Sequence, residues 1–251
     1  MSVIVRHEAC PECRKRGNDQ AGDNVGVYSD GHKYCFSCSW YSPPSILELL
    51  KEEERPKETP LDFPRDYSRY LPQCASWWLN KYQIITAEIA EHKFGWSEER
   101  QMLIMPIFGE DNVVIMWQGR NFGKSGPKYL TKGPASDIMH IIADSSLTNP
   151  TDCDMIIVTE GLLDAIKVGR AYNSMPLWGS SMPLKTIKRL SDRFLRLGIW
   201  LDPDKRVEAV RMAVRASQYV STFVVFAEAD PKEYNSILIQ DIIKQHQGKT
   251  Y

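Results

Sequence analysis

The apolar positions of this chain change their spacing twice, and the changes divide it. Residues 1–41 mix Cys, Gly, Asp and aromatic side chains with little 3.6-residue periodicity. From Ser42-Pro43-Pro44 the apolar signal fades into the charge run Lys51-Glu52-Glu53-Glu54-Arg55, with prolines at 56, 60 and 64. That composition predicts a linker over 42–66, with one short helix at Ile46–Leu50. From about Tyr67 a compact pattern resumes. Trp77–Ile89 predicts a helix, and Met102–Phe108 and Val113–Gln118 predict two strands joined by a Gly-Glu-Asp-Asn turn.

Beyond Asp152 the alternation is clearer. Met155–Thr159 is a short apolar run suited to a buried parallel strand, followed by a helix from Leu162 to about Tyr172. Leu197–Leu201 repeats the theme, with a helix over Val207–Tyr219, a strand over Thr222–Phe226 and a helix near Ile237–Gln245. Strand and helix in alternation imply an α/β fold with a parallel sheet and covering helices. The expected organisation is a small module over 1–41, the linker, and a larger domain over 67–251. Its first part (67–151) is distinguished from an α/β part (152–251).

Bulk properties add little. The chain has 251 residues, 43% apolar and 25% charged, with a net charge of -1. A whole-chain basic excess would be the usual footprint of a nucleic-acid binder. Its lack here excludes nothing, because clustered carboxylates cancel a basic track elsewhere. No apolar run approaches the ~20 residues of a membrane span, and no secretory leader is legible at the N-terminus. A cytoplasmic setting and no membrane partner are expected.

Four of the six cysteines form Cys10-Pro-Glu-Cys13 and Cys35-Phe-Ser-Cys38, a C-x2-C-x21-C-x2-C arrangement. In a reducing compartment such pairs read as metal ligands before disulfides. Four thiolates satisfy one tetrahedral Zn2+, and a module this small draws much of its folding free energy from the ion. Cys74 and Cys153 stand alone and are expected to be buried small hydrophobes. Five basic residues (Arg6, Arg14, Lys15, Arg16, Lys33) balance five acidic ones (Glu8, Glu12, Asp19, Asp23, Asp30) in the module. A purely electrostatic grip on phosphates is therefore not expected. Base stacking or edge contacts from Ser29-Asp30-Gly31-His32-Lys33-Tyr34 and nearby aromatics are the alternative to simple packing.

The larger domain carries a carboxylate pattern. Glu160-Gly161 follows the strand 155–159, Asp164 sits one helical turn further on, and Asp202-Pro203-Asp204 follows the next strand. Parallel strands end at one sheet edge, where ligands bind in open α/β folds. The carboxylates can thus converge into an oxygen-rich site for hard divalent cations such as Mg2+. An isolated Asp-x-Asp is more often a turn. The combination with strand-Glu-Gly-x-x-Asp is more specific. Upstream, residues 112–136 hold no acid but carry Arg120, Lys124, Lys128 and Lys132, a pattern suited to triphosphate or strand-backbone contacts. Gly119-Arg120-Asn121-Phe122-Gly123-Lys124-Ser125 imitates a phosphate-binding loop, but with three residues between its glycines where four are needed. Residues 185–215 hold nine Lys/Arg against four acids, with Arg211 and Arg215 on one helix flank, near DNA or merely solvated.

Glu160-Gly161-Leu162-Leu163-Asp164 and Leu201-Asp202-Pro203-Asp204 resemble the two motifs of the Toprim fold. Gly119-Arg120 leading to Pro127-Lys128-Tyr129-Leu130 resembles the basic motif of primases, and Asp230-Pro231 their further acidic position. With the cysteine module in front, the chain is similar to phage and bacterial DNA primases over nearly its whole length, above all to the primase half of T-odd phage primase–helicases. The resemblance implies a zinc module joined to a Toprim-containing RNA polymerase domain that makes short RNA primers from NTPs on single-stranded DNA. It implies Glu160, Asp202 and Asp204 as ligands of two Mg2+ (or Mn2+) ions, with Asp164 and Asp230 supporting. Arg120, Lys124, Lys128, Lys132 and Ser180, the last in the Trp178-Gly179-Ser180-Ser181 loop, would meet NTP or template. Ser29-Asp30-Gly31-His32-Lys33-Tyr34-Cys35 is similar to the second zinc knuckle of the T-odd group, which makes His32, Lys33 and Asp30 candidates for template recognition. The longer gap between the CxxC pairs departs from that group. A separate replicative helicase and a DNA polymerase are the implied partners, and a phage origin is implied too. Rival readings are a zinc/Toprim recombination-mediator-like protein and an accessory DNA-binding protein without polymerase activity.

Overall fold

The computed structural model describes residues 4–29, 31–43, 61–109, 111–135, 138–143 and 154–250. Asp30, Cys153 and the expected helix at 46–50 lie outside the described residues. The chain separates into two compact units, 1–59 and 60–251.

The first unit is an antiparallel meander of strands β1 (Ile4–Glu8), β2 (Val25–Tyr28), β3 (Lys33–Cys35) and β4 (Tyr41–Ser42). One short helix, α1 (Pro11–Lys15), sits between β1 and β2. Among the described residues its core is small: Cys10, Cys13, Cys35, Val25 and Val27, with Cys38 and Trp40 at the margin. So few apolar groups cannot offset the chain entropy of ordering some forty residues without a further cross-link.

The second unit holds two sheets. β5 (Gly95–Ser97), β6 (Met102–Phe108), β7 (Val114–Asn121) and β8 (Tyr129–Lys132) form an antiparallel meander. Before it come α2 (Gln73–Lys81) and α3 (Thr86–Glu91). The sequence predicts one helix over 77–89. The chain instead breaks at Tyr82–Ile85, where Gln83 adopts a left-handed φ of 57°. Ile85 then starts a fresh helix, its N–H capped by the Glu88 carboxylate at 2.9 Å. The unit also begins before Tyr67. Leu61 and Phe63 pack against the cluster of Met102, Ile104 and Trp117, and Asp66 accepts hydrogen bonds from Ser97 Oγ and the Glu99 N–H, both 2.8 Å.

The second sheet is wholly parallel, in the order β10 (Asn173–Pro176), β9 (Met155–Thr159), β11 (Arg196–Trp200), β12 (Ser221–Val224). Helices α4 (Leu162–Gly169), α5 (Leu184–Ser191), α6 (Arg206–Ala216) and α7 (Ser236–His246) cover it. Every residue of β9 is buried, because both faces are covered: Ile156 and Val158 enter one apolar layer, Met155 and Ile157 the other. Strand β10 and helix α5 are elements that the apolar pattern did not announce. Gly198 in β11 lets the sheet close, since a Cβ there would lie 2.4 Å from Ile157 Cδ1 and 2.7 Å from Phe223 Cζ. Helix α4 joins the two sheets: Leu162, Leu163 and Ile166 pack into the cluster that holds Leu103, Met105 and Met116 of the meander. Cys74, expected to be buried, is exposed on the outer side of α2, while Ala75 and Leu79 form its buried side. Among the described residues no helix is long and apolar enough to cross a membrane.

Candidate active site and metal centre

In the first unit the four cysteines converge. Cys10 Sγ lies 3.6 Å from Cys38 Sγ, and Cys13 Sγ 3.7 Å from Cys35 Sγ. All four sulfurs fall within 4.8 Å of one another. Four ligands at the ~2.3 Å Zn–S distance would sit about 3.8 Å apart at tetrahedral corners, so the cage has the size zinc needs. Each CxxC turn is set by its first sulfur, which accepts from the N–H of the second cysteine (Cys13 N at 3.4 Å, Cys38 N at 3.5 Å). Buried Asp19 orients the first turn by accepting from the Cys10 N–H at 2.6 Å and the Gly22 N–H at 2.9 Å. Burial pushes the Cys13 thiol up to about 12, so its thiolate needs a cation beside it. His32, a template-recognition candidate, stacks on Tyr28 (centroids 4.0 Å apart, planes 14° apart) and tilts against Tyr41. Lys33 is held by Glu8 of β1 at 2.8 Å.

In the second unit three carboxylates stand at the carboxyl ends of neighbouring parallel strands. Glu160 follows β9, Asp202 follows β11, and Asp230 lies beyond β12. Asp202 and Asp230 share one device. Each precedes a proline and opens a short 3-10 turn, Pro203–Lys205 or Pro231–Glu233, from an extended backbone (φ -57° and -67°, ψ 150°). Proline starts such a turn without wasting an N–H. Neither aspartate uses its side chain as a cap, which leaves both carboxylates for the site. Asp164 joins them from the first turn of α4, almost fully buried.

These four carboxylates line one cavity of about 360 Å³. The rest of its lining is largely basic and aromatic: Arg120 and Lys128, with Trp78, Tyr82, Tyr129 and Trp178. The Arg120 guanidinium is surrounded by the rings of Tyr129, Trp78 and Phe122, at 5.1, 5.5 and 5.8 Å. Its Nε and Nη1 are buried without a hydrogen-bond partner. A buried cation with unspent donors is a seat for an anion. Trp178 is held at a left-handed φ of 60°, and its indole N–H is likewise buried and unpartnered. Backbone strain of this kind gathers at functional sites.

On the acidic side, Glu160 Oε2 and Asp202 Oδ1 are buried and unpartnered. Burial raises the pKa of Glu160, and neighbouring Asp202 and Asp204 raise it further. Asp202 is raised by burial too, against the pull of Lys232. Asp164 is pushed up to about 6 by burial although Lys232 opposes the shift. Lys232 binds Asp230 at 2.5 Å and Asp164 at 3.2 Å. Burial would lower its pKa, but the surrounding carboxylates, Asp164 first, carry it well above the lysine range. Carboxylates that resist ionisation beside orphaned buried oxygens fit a divalent cation, whose charge reverses that preference. Among the described residues only the cysteines already bring three or more ligand atoms within 4.8 Å.

The sequence candidates thus separate by position. Glu160, Asp164, Asp202, Asp230, Arg120 and Lys128 meet at the cavity. Asp204 points outward with its side chain 71% exposed and pairs with Lys205 at 3.1 Å. Lys124, Lys132 and Ser180 do not line the cavity. Arg215 donates to the Met182 carbonyl, and Arg211 is exposed. Sequence reasoning missed Lys232 and the aromatic wall. The signal for the lysine was its place two residues after Asp230 in an Asp-Pro turn; isolated aromatics gave none.

No family model matches this chain, and no curated protein does. Solved structures match. The Aquifex aeolicus primase (zinc-binding and RNA polymerase domains) matches over 96% of this chain and 78% of its own, with 16% identity and a TM-score of 0.56. A DnaG primase catalytic domain bound to ssDNA matches over 69% of this chain and 72% of its own, with 18% identity and a TM-score of 0.53. The primase fragment of the bacteriophage T7 primase–helicase superposes more loosely, at 16% identity and a TM-score of 0.43 over 97% of this chain and 99% of its own. The four-cysteine cage in front of a parallel-sheet α/β unit is thus the fold of the zinc-binding and RNA polymerase domains of DNA primases.

Proposed function

We propose that this chain is a DNA primase that joins NTPs into short RNA primers on single-stranded DNA. One observation carries the reading. Carboxylates with buried, unpartnered oxygens (Glu160, Asp202) and a guanidinium with buried, unpartnered nitrogens (Arg120) line the same cavity. A nucleoside triphosphate with its metal supplies both missing partners at once.

On this reading Glu160 and Asp202, with Asp204 reachable from the same turn, hold Mg2+ or Mn2+ in a Toprim-type site. The ion would neutralise phosphate charge and lower the pKa of an attacking 3′-hydroxyl. Arg120 binds phosphate oxygens through its two free donors, its plane held by the Tyr129, Trp78 and Phe122 rings. Lys128, exposed to solvent, adds a second positive charge to the lining. Trp78, Tyr82, Tyr129 and Trp178 offer faces on which a base can stack. Catalysis then consists of positioning two nucleotides and stabilising charge on the transferred α-phosphate, which a pre-arranged site does without reorganisation. In the first unit, the stacked His32 with Tyr28 and Tyr41 forms an aromatic strip suited to single-stranded template bases. Lys33, next in sequence to His32 and paired with Glu8, is the basic candidate for template recognition there. A replicative helicase and a polymerase are the partners such a primase would serve, in the cytoplasm of its host.

The test is primer synthesis on a randomised single-stranded DNA library with labelled NTPs, comparing wild type with Asp202→Ala. Short RNA products that vanish in the variant are expected. No product on any template, with Mg2+ or Mn2+, would sink the reading in favour of a mediator-like or accessory DNA-binding protein.

A further inference from the structure

We infer that Lys232 is a built-in counter-cation of the acidic site: its ammonium occupies the seat of a second divalent ion, so the nucleotide-free protein binds one such ion. The inference rests on the reading of the cavity as a divalent-cation site and revises the count of two drawn from sequence resemblance.

The geometry divides the carboxylates into two sets. Asp164 and Asp230 belong to the lysine, whose Nζ lies 3.2 Å from Asp164 Oδ1 and 2.5 Å from Asp230 Oδ2. An ion bridging those two oxygens would have to stand where the ammonium stands. The ammonium is also hard to displace, because the Lys232 N–H binds Asp164 Oδ1 at 3.0 Å and fixes the residue at its root. Only 14% of the lysine side chain is exposed. Glu160 and Asp202 form the other set. Each has a buried oxygen with no hydrogen-bond partner, so this pair and not the lysine-bound one offers its oxygens to a cation. Charge gives no call for a second ion: four carboxylates against Lys232, Arg120 and Lys128 leave the cavity lining at -1, which one divalent ion already reverses.

The experiment is Mn2+ titration of the zinc-loaded full chain without nucleotide, followed by electron paramagnetic resonance. Wild type is expected to hold one Mn2+, lost in Asp202→Asn. Lys232→Met should hold two, with the dipolar broadening of neighbouring Mn2+ ions, and Lys232→Arg should stay at one. Circular dichroism checks that each variant folds. Should Lys232→Met fail to fold, Lys232→Gln replaces it, since its amide nitrogen takes the place of the lysine Cε and keeps a neutral donor while removing the charge. Two Mn2+ ions in wild type, or one in a folded uncharged variant, overturn the inference. No Mn2+ in wild type overturns it together with the cation-site reading. Failure of primer synthesis with the one-to-two change intact would instead sink the polymerase reading and leave the role of Lys232 standing.

Discussion

Asp164 Oδ1 accepts two hydrogen bonds from a single residue, Lys232: one from its backbone N–H at 3.0 Å and one from its ammonium at 3.2 Å. The pair ties the first turn of α4 to the turn that follows β12, 68 residues away in sequence. It thereby fixes where Asp230 stands relative to Glu160.

Breaking this pair from one side should cost more than removing it whole. Asp164→Asn leaves Lys232 with Asp230 as its remaining ion-pair partner, and Lys232→Met leaves a buried carboxylate. Each is expected to destabilise by about 2–4 kcal/mol, while the double variant costs less than their sum by ~1–3 kcal/mol. Urea unfolding of the four proteins measures the coupling, and additive losses would refute it.

Arg120 should not be replaceable by lysine. Lysine keeps the charge but neither the planar stack on three rings nor the two parallel donors. Arg120→Lys is expected to weaken NTP binding about 10-fold, and Arg120→Ala about 100-fold, the loss of 1–3 kcal/mol expected for a charge-assisted contact. Stability should change little. Isothermal titration with an NTP and Mg2+ reads the affinity, and equal affinity of wild type and Arg120→Lys would dismiss the stacking argument.

His140 supplies a pH dependence away from the site. Burial, with His92 beside it, depresses its pKa to about 4, and its Nε2 is buried without a partner. In the unfolded chain the imidazole titrates near ~6.5, so between the two values the unfolded state binds the extra proton. Its contribution is complete above pH ~6.5 and is lost as pH falls toward 4, at up to about 1.4 kcal/mol per pH unit. His140→Phe should flatten the stability profile between pH 6.5 and 4. An unchanged slope would show that other groups set it.

Zinc removal should act on the first unit alone. With a core of three cysteines and two valines, that unit cannot fold without its cross-link. Chelation, or Cys35→Ser, is expected to abolish its cooperative thermal transition and its structured amide signals while the unfolding of the second unit is kept. Structured signals from residues 4–43 after chelation would contradict this.

The cysteine module and the parallel sheet were legible because each is a local pattern. A C-x2-C spacing puts two sulfurs on one turn whatever surrounds it, and four apolar residues with Thr159, bounded by Glu160-Gly161, have few ways to satisfy themselves except as β9. For the same reason Glu160 and Asp202 could be assigned to one sheet edge, whereas Asp230 was named only through the resemblance to primases. The helix expected over 77–89 misled because apolar spacing does not register a backbone break; that break depends on Gln83, whose carbonyl accepts from Arg170 and whose side chain accepts from the buried Lys167, both from the far end of α4. Cys74 misled because residue type alone says nothing about which face of α2 meets the core.

The residue types, their order and the strand ends on which the carboxylates sit were thus written in the chain itself. The sequence could not say which acids share a cation, that Asp204 turns to Lys205 and solvent, or that Lys232 comes between Asp164 and Asp230. Nor could it say that three rings from separate segments enclose Arg120. Electrostatic partnership depends on distance and burial, falling off over a few ångströms, and those are properties of how distant segments pack rather than of any local pattern.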